Sequence, residues 1–399
     1  MPTIGATTLK SRSTTVAVIR QSVRGTFVDP AANLIAVSNV SLNINTVETE
    51  NPEYTGTIEG NAADVALGAV ELTFSVNLRG PGGADVPAAD AFLTGILLVA
   101  SKMTEVRVLA AVPASPEALT AGAVAGFTGG AGMSASVNAY RGMVVDLAAA
   151  GAKPKSFAGV RSNTAAKVVG LARKYAAPLT GNYQFPKQLV YTSNLSQTDP
   201  LPLSMKVWIS GRRYDLIDLA ISSLTIEVPT TTRDQGAIPL INVTVRGRLF
   251  ADADQATPAL PALGATPQFR DGQQFLANEY VAGSGFTLES GAQAESPPDP
   301  NVSDGSGAEE LVGLSRSLQV RMQGYTKADF DSIALANAQT QHAFWAQWGK
   351  TSGQTICVVL ADARFGFSAL DLGSNIVTEN PRLYIDALDK NVSIIFPYW

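Results

Sequence analysis

Between Leu72 and Leu78 every second residue is apolar: Leu72, Phe74, Val76 and Leu78 alternate with Thr73, Ser75 and Asn77. A period of two marks a strand with one buried face and one wet face. The alternation recurs at Val40, Leu42 and Ile44, at Leu224, Ile226 and Val228, at Ile241, Val243 and Val245, and at Leu318, Val320 and Met322. After the breaker Gly80-Pro81-Gly82-Gly83 the period changes. Phe92, Leu93, Ile96, Leu97, Ala100 and Met103 fall on one face of a helix, with Pro87 near its start, where a missing N–H does no harm. The stretches SSLTIEV and PLINVTVRG, separated by the turn formers of PTTTRDQGA, predict a hairpin, and so do the two apolar runs around Gly211 in VWISGRRYDL.

The pattern lapses in two places. Residues 110–182 are rich in Ala and Gly and read as an insertion within the first module, with a helix-like piece at Thr164 to Tyr175. From about Gly283 to Glu310, Pro, Gly, Ser and acidic residues predict an extended linker or exposed loop. The last segment repeats the opening logic. A strand leads through Thr326, an N-cap candidate three residues before Asp329, into a predicted helix ending near Gly349, and strands follow in TICVVLA, RLYIDAL and VSIIFPYW. The organisation expected is therefore a module at 1–258 carrying the insertion at about 110–182, a linker at 259–310, and a second half at 311–399.

Composition narrows the function. Of 399 residues 46% are hydrophobic, enough for a large core, yet only 16% are charged, and there are 35 glycines. Low charge favours surfaces covered by partners over surfaces solvated by charge. A net charge of -5 argues against a protein that grips nucleic acid, because neutralising phosphates needs clustered Lys and Arg. The single cysteine, Cys357, excludes an internal disulfide and any cysteine-built metal site, and its apolar neighbours predict a buried strand thiol. No run of about 18 apolar residues predicts a membrane span, and MPTIGATTLKSRSTT lacks a signal-peptide core, so a cytosol-like compartment is expected until assembly.

Candidate chemistry is sparse, and no cofactor or metal is expected. The only histidine, His342, falls on the predicted C-terminal helix with no GxSxG elbow to serve. Gly130-Ala131-Gly132-Met133-Ser134-Ala135 fits the GxGxxA form of a dinucleotide-binding turn, but the strand before it is weak and Asp146 comes too early for the ribose acid. Asp85, Asp90, Asp215 and Asp218 cannot be paired as acid and base from spacing alone.

The order of motifs resembles a known group. NVSLNI, the acidic connector ETENPEYTGTIEG, a strand closing on VNLRGPGG, the helix AADAFLTGILLVASKM, then LVYTSN, VWISGRRYDL and INVTVRGRLF are similar to the tail tube proteins of long-tailed bacteriophages, and FWAQWGKTSGQ with its following strands resembles the second half of longer members. The resemblance implies a mainly β (α+β) fold of antiparallel sandwich or barrel modules with a flanking helix, two per chain. It implies a non-enzymatic virion protein, assembled in the host cytoplasm, whose copies form stacked homo-oligomeric rings with other tail proteins at their ends and DNA passing through without specific binding. Two modules per chain imply trimeric rings; one module implies hexamers. Glu48, Glu50, Glu53, Tyr54 and Glu59 would belong to an inter-ring arm, and Glu71, Thr73, Ser75, Asn77, Thr225 and Glu227 would line the lumen. Other ring-forming tail components (distal, hub or terminator) and a carbohydrate-binding adhesive β-protein are the alternatives.

Overall fold

The alternating segments pair with one another. In the computed structural model, which describes residues 13–30, 33–50, 63–147, 152–196, 198–302, 305–367, 370–373 and 376–399, the chain is mainly β with antiparallel sheets. It begins with β1 (Thr14–Arg20), β2 (Leu34–Ile35), β3 (Ser38–Thr49) and β4 (Asp64–Asn77), then α1 (Leu93–Ala100) and β5 (Met103–Val108). The inserted region holds β6 (Val112–Ala118), β7 (Ala121–Ala123), β8 (Gly126–Thr128), β9 (Val144–Leu147), β10 (Phe157–Asn163), β11 (Val168–Leu171) and β12 (Asn182–Phe185). The chain returns with β13 (Lys187–Ser193), β14 (Leu203–Ile209), β15 (Arg212–Pro229), β16 (Leu240–Asp254), β17 (Gln273–Leu276), β18 (Glu279–Tyr280), β19 (Gly283–Glu289), β20 (Ala292–Glu295), β21 (Glu310–Leu314) and β22 (Ser317–Gln323). It closes with α2 (Ser332–Ala338), β23 (Gln341–Trp348), β24 (Ile356–Gly366), β25 (Leu370–Asp371), β26 (Thr378–Glu379), β27 (Arg382–Ile385) and β28 (Val392–Tyr398).

Eight strands lie side by side in the order β3–β4–β16–β15–β19–β22–β26–β25, each neighbouring pair antiparallel, as a half-barrel arc. Both predicted hairpins are present: β14 turns at Gly211 (φ 98°, where a side chain would be strained) into β15, and β15 pairs with β16 from Glu227↔Leu240. One face of the arc is the core face. Leu72, Phe74 and Val76 of β4, Val243 and Val245 of β16, Ile226 and Val228 of β15, Phe286 of β19 and Val320 of β22 are all buried in one continuous cluster.

Across that core lies a second sheet, β5–β13–β28–β24–β23–β17. It is buried on both faces. Tyr191, Ile394, Phe396, Val358 and Phe344 face the arc, while Val190, Ile395, Cys357, Val359 and Trp345 face the inserted region. Helix α1 packs into the arc-side core so closely that a Cβ on Gly95 would fall 2.0 Å from the Tyr191 hydroxyl.

The inserted residues form their own seven-stranded sheet, β6–β12–β9–β10–β11–β8–β7, over a core that includes Phe127, Val145, Val160, Tyr183 and Phe185. The insertion is docked, not dangling: Arg141 reaches Asp362 at 2.9 Å and Asn391 at 3.0 Å, and Arg161 reaches Asp362 at 2.7 Å.

Three expectations are corrected. Thr164 to Tyr175 is not helical but holds β11, whose Val169 and Leu171 fill the insertion's core. The C-terminal helix is only α2, capped by Asp331 accepting from the Ala334 amide at 2.9 Å, and Gln341–Trp348 is a strand, so His342 lies on β23. A strand with two buried faces has no polar alternation, and Phe344, Trp345 and Trp348 mimic helical spacing. The 259–310 linker contains β17, β18, β19 and β20, and β19 bridges β15 to β22 at the centre of the arc. No described helix is long and apolar enough to cross a membrane.

Candidate functional site

The arc's second face carries the polar halves of the alternation. Between its bulges the register carries from strand to strand, so rows of side chains can be read across it. One row passes from Ser75 through Asn242, Thr225, Glu289 and Ser317 to Tyr384. The next passes from Asn77 through Leu240, Glu227, Thr287 and Gln319 to Arg382. Thr73 lies opposite Thr244, and Glu71 opposite Arg246. The structure thus brings Glu71, Thr73, Ser75, Asn77, Thr225 and Glu227 onto one face, turned away from the core that holds α1.

This face is tied together by its own hydrogen bonds. Ser75 Oγ donates to Asn242 Oδ1 at 2.7 Å, and the Thr73 and Thr244 hydroxyls lie 3.2 Å apart. Its arginines are occupied by carboxylates: Arg321 by Glu227 at 3.5 Å, Arg382 by Glu289 at 3.1 Å, and Arg246 by Glu309 at 3.2 Å. Arg382 also donates to Ser317 Oγ at 2.8 Å. Burial raises the Glu309 carboxyl above its ordinary range, while Arg246 pulls it back. A wide polar surface with every one of these cations paired can wet and pass an anionic polymer but offers it little to hold.

Asn242, Thr244, Glu289, Ser317, Arg321 and Arg382 belong to the same face and were not singled out from sequence. Their signal was available: FTLE and LQVRMQ alternate as strictly as β4, but the first sits inside the Gly- and Ser-rich stretch read as a linker. Of the arm residues, Glu48 is the penultimate residue of β3 and Glu50 follows the strand, both exposed, whereas Glu53, Tyr54 and Glu59 lie outside the described residues.

The remaining candidates are occupied otherwise. At the glycine-rich turn the Gly132 amide donates to both Glu117 oxygens at 3.2 Å, and the Gly130 amide donates to the Tyr183 hydroxyl at 3.0 Å. Hydrogen bonds from Tyr183 and Gly132 hold the Glu117 carboxyl below its usual range, so an anion already sits where a phosphate would go. No helix follows; β9 does. His342 Nε2 lies 3.0 Å from Thr340 Oγ1, and burial, with the Arg161 charge, lowers its pKa. Cys357 is fully buried, which pushes its thiol well up. Asp85, Asp90, Asp215 and Asp218 each pair with a different cation: Lys187, Arg20, Arg213 and Arg248. Among the described residues no cluster of three metal-ligating side chains exists. No protein-family model and no curated protein matches the chain.

Proposed function

We propose that this chain is a non-enzymatic structural protein of a long-tailed bacteriophage virion, assembled in the host cytoplasm, whose copies close into rings stacked as a tail tube through which the genome passes. The carrying observation is the eight-strand arc. It has a buried face, a polar face with paired charges, an edge strand β3 that pairs on one side only among the described residues, and at the other end the two-residue β25, which pairs only with β26, beside β27, which β24 covers.

Unpaired edges promote association, and closure into a barrel removes them. Strand parity supports this closure. With eight alternating strands, β3 and β25 run in opposite senses, so a copy rotated about the barrel axis brings its β3 antiparallel to β25 of its neighbour. Three copies give a barrel of about 24 strands, wider than the 16 to 18 that already enclose an aqueous channel. The arc also divides into two quartets, β3–β4–β16–β15 and β19–β22–β26–β25, which favours a trimer of two-module chains over a hexamer. The inserted sheet would lie on the outside of the ring, across the doubly buried sheet from the channel.

Negative-stain microscopy of the purified chain tests the proposal. Rings or tubes with an open centre are expected; compact solitary particles at high protein concentration contradict it.

A further inference from the structure

Among the described residues Lys206 is the one buried lysine. It lies in β14 between Met205 and Val207, which point into the main core, so its own side chain lies on the opposite face of that sheet. The registers set it in a row across four strands, Ala17–Lys206–Asp215–Ala251. A lysine and a buried carboxylate therefore stand side by side with an alanine on either flank.

The segment that follows β1 brings a second carboxylate to this pair. The Gly25 amide donates to Asp218 Oδ1 at 2.7 Å, the Val28 amide donates to Ser204 Oγ at 3.2 Å, and the Phe27 ring stacks on Phe250 at 4.8 Å. These anchors hold Asp29 with its Oδ2 2.6 Å from Lys206 Nζ, while the Phe27 ring centre lies 5.9 Å from the same nitrogen. At that separation Nζ is within about 3.5 Å of the Asp29 carboxyl carbon, the distance at which a held nucleophile and electrophile react. Asp29 is exposed, so a leaving water has a way out.

Other lysine–carboxylate pairs differ. Lys155 and Lys350 meet Asp271, Lys174 meets Glu279 and Lys187 meets Asp85 at the surface, where both charges stay hydrated. At Lys206 the ammonium is out of water, and an ion pair offsets only part of that desolvation; joining the two groups as an amide abolishes both charges. A proton carrier is at hand. Asp215 Oδ1 has no hydrogen-bond partner among the described residues, and Arg213 Nε, 2.8 Å away, is not aligned to bond it. Burial raises the Asp215 carboxyl above its ordinary range while the Arg213 and Lys206 charges pull it back, which suits a group that takes up a proton and returns it.

We infer that Lys206 and Asp29 condense spontaneously into an isopeptide bond within the chain, with Asp215 carrying the protons. Asp215 takes a proton from the ammonium group, the neutral Nζ attacks Asp29 Cγ, and Asp215 passes its proton to the departing oxygen. The C–N bond forms and the C–Oδ2 bond breaks. Two protons lost by the nitrogen leave with that oxygen as water, and the amide keeps the third. Asp215 ends as it began, nothing is oxidised or reduced, and no co-reactant is needed. The bond ties the segment ahead of β2 to β14 and does not depend on ring assembly.

Mass spectrometry of the denatured full chain tests the bond. The wild-type mass should lie about 18 Da, one water, below that of the sequence. After trypsin, residues 25–79 and 188–212 should appear as one linked species, uncut after Lys206. Asp29→Ala and Lys206→Arg should show the unmodified mass, whereas Asp29→Asn should regain the bond with loss of ammonia, about 17 Da. Asp215→Asn keeps both reacting groups and should lower the linked fraction at least about tenfold. Wild-type protein that holds the full sequence mass after days of incubation would overturn the bond, a reading that needs no variant to fold. A linked product in Asp29→Ala would overturn the choice of partner, and an undiminished one in Asp215→Asn would overturn the role of Asp215.

Discussion

The two sheets that enclose the main core bury their residues differently. In β4, β16 and β22 the core face is as apolar as any interior, yet the opposite face carries Thr, Ser, Asn, Glu and Arg joined to one another across the strands. In β13, β28, β24 and β23 both faces are dry, one against the arc and one against the inserted sheet, and runs such as Ile356–Ala361 and Ile394–Phe396 are apolar at consecutive positions. The difference separates a sheet enclosed within the chain from one that leaves a polar face outward. The doubly buried sheet is a wall; the arc is wet on one side.

If that contrast is correct, substitutions on the two sheets should separate cleanly. The largest effect is expected at Trp345, fully buried between the wall and the insertion: Trp345→Ala should destabilise by about 3–5 kcal/mol in chemical denaturation. Phe74→Ala, on the arc's core face, should fall in the same range, and equal stability to wild type would break the assignment of faces.

Next comes Asp362, which holds Arg141 and Arg161 at the seam of the insertion. Asp362→Ala leaves two cations short of a partner, one of them buried, and should lower stability by about 3 kcal/mol. Loss of well under 1 kcal/mol would mean that the insertion is loosely attached.

On the polar face folding should barely respond. Thr73→Val and Thr225→Val should each change stability by less than about 1 kcal/mol. Glu227→Gln and Glu289→Gln there should act on DNA instead. Each frees an arginine, and retention of duplex DNA by assembled protein should rise, with the salt dependence of binding steeper by about one unit for each freed arginine that meets a phosphate. Unchanged retention in both would remove the argument that paired charge keeps the surface slippery.

The smallest effect concerns Asp271, exposed and gripped by Lys155 of the insertion and Lys350 of the wall's turn, which hold its carboxyl at about 2. A depressed carboxyl pKa stabilises above the unfolded value and loses that contribution as pH falls from about 4 toward 2. Asp271→Asn should therefore flatten the acid limb of a melting-versus-pH curve slightly, and less so at high salt.

The same contrast explains what could be read in the sequence. Leu72–Phe74–Val76, Ile241–Val243–Val245 and Leu318–Val320–Met322 were legible because one face is wet, and so was the shared polar face of Glu71, Thr73, Ser75 and Asn77, which is simply the other half of the pattern. Gln341–Trp348 was illegible as a strand because a second dry face erases the period. Gly283–Glu289 was missed because its glycines, needed where β19 crosses β15 and β22 closely, resemble a linker: a Cβ on Gly285 would fall 1.9 Å from the Val228 carbonyl oxygen. The ion pairs of Arg321 and Arg382 join residues far apart in the chain, and only the register of the assembled arc brings them together.

The central claim is that this arc is completed by copies of itself. Native mass measurement on the purified chain over a concentration series tests it most directly: three copies of the 41.7 kDa chain should give closed particles of about 125 kDa and stacked multiples of that mass. A single species at the mass of one chain, persisting at the highest concentration, would contradict the account.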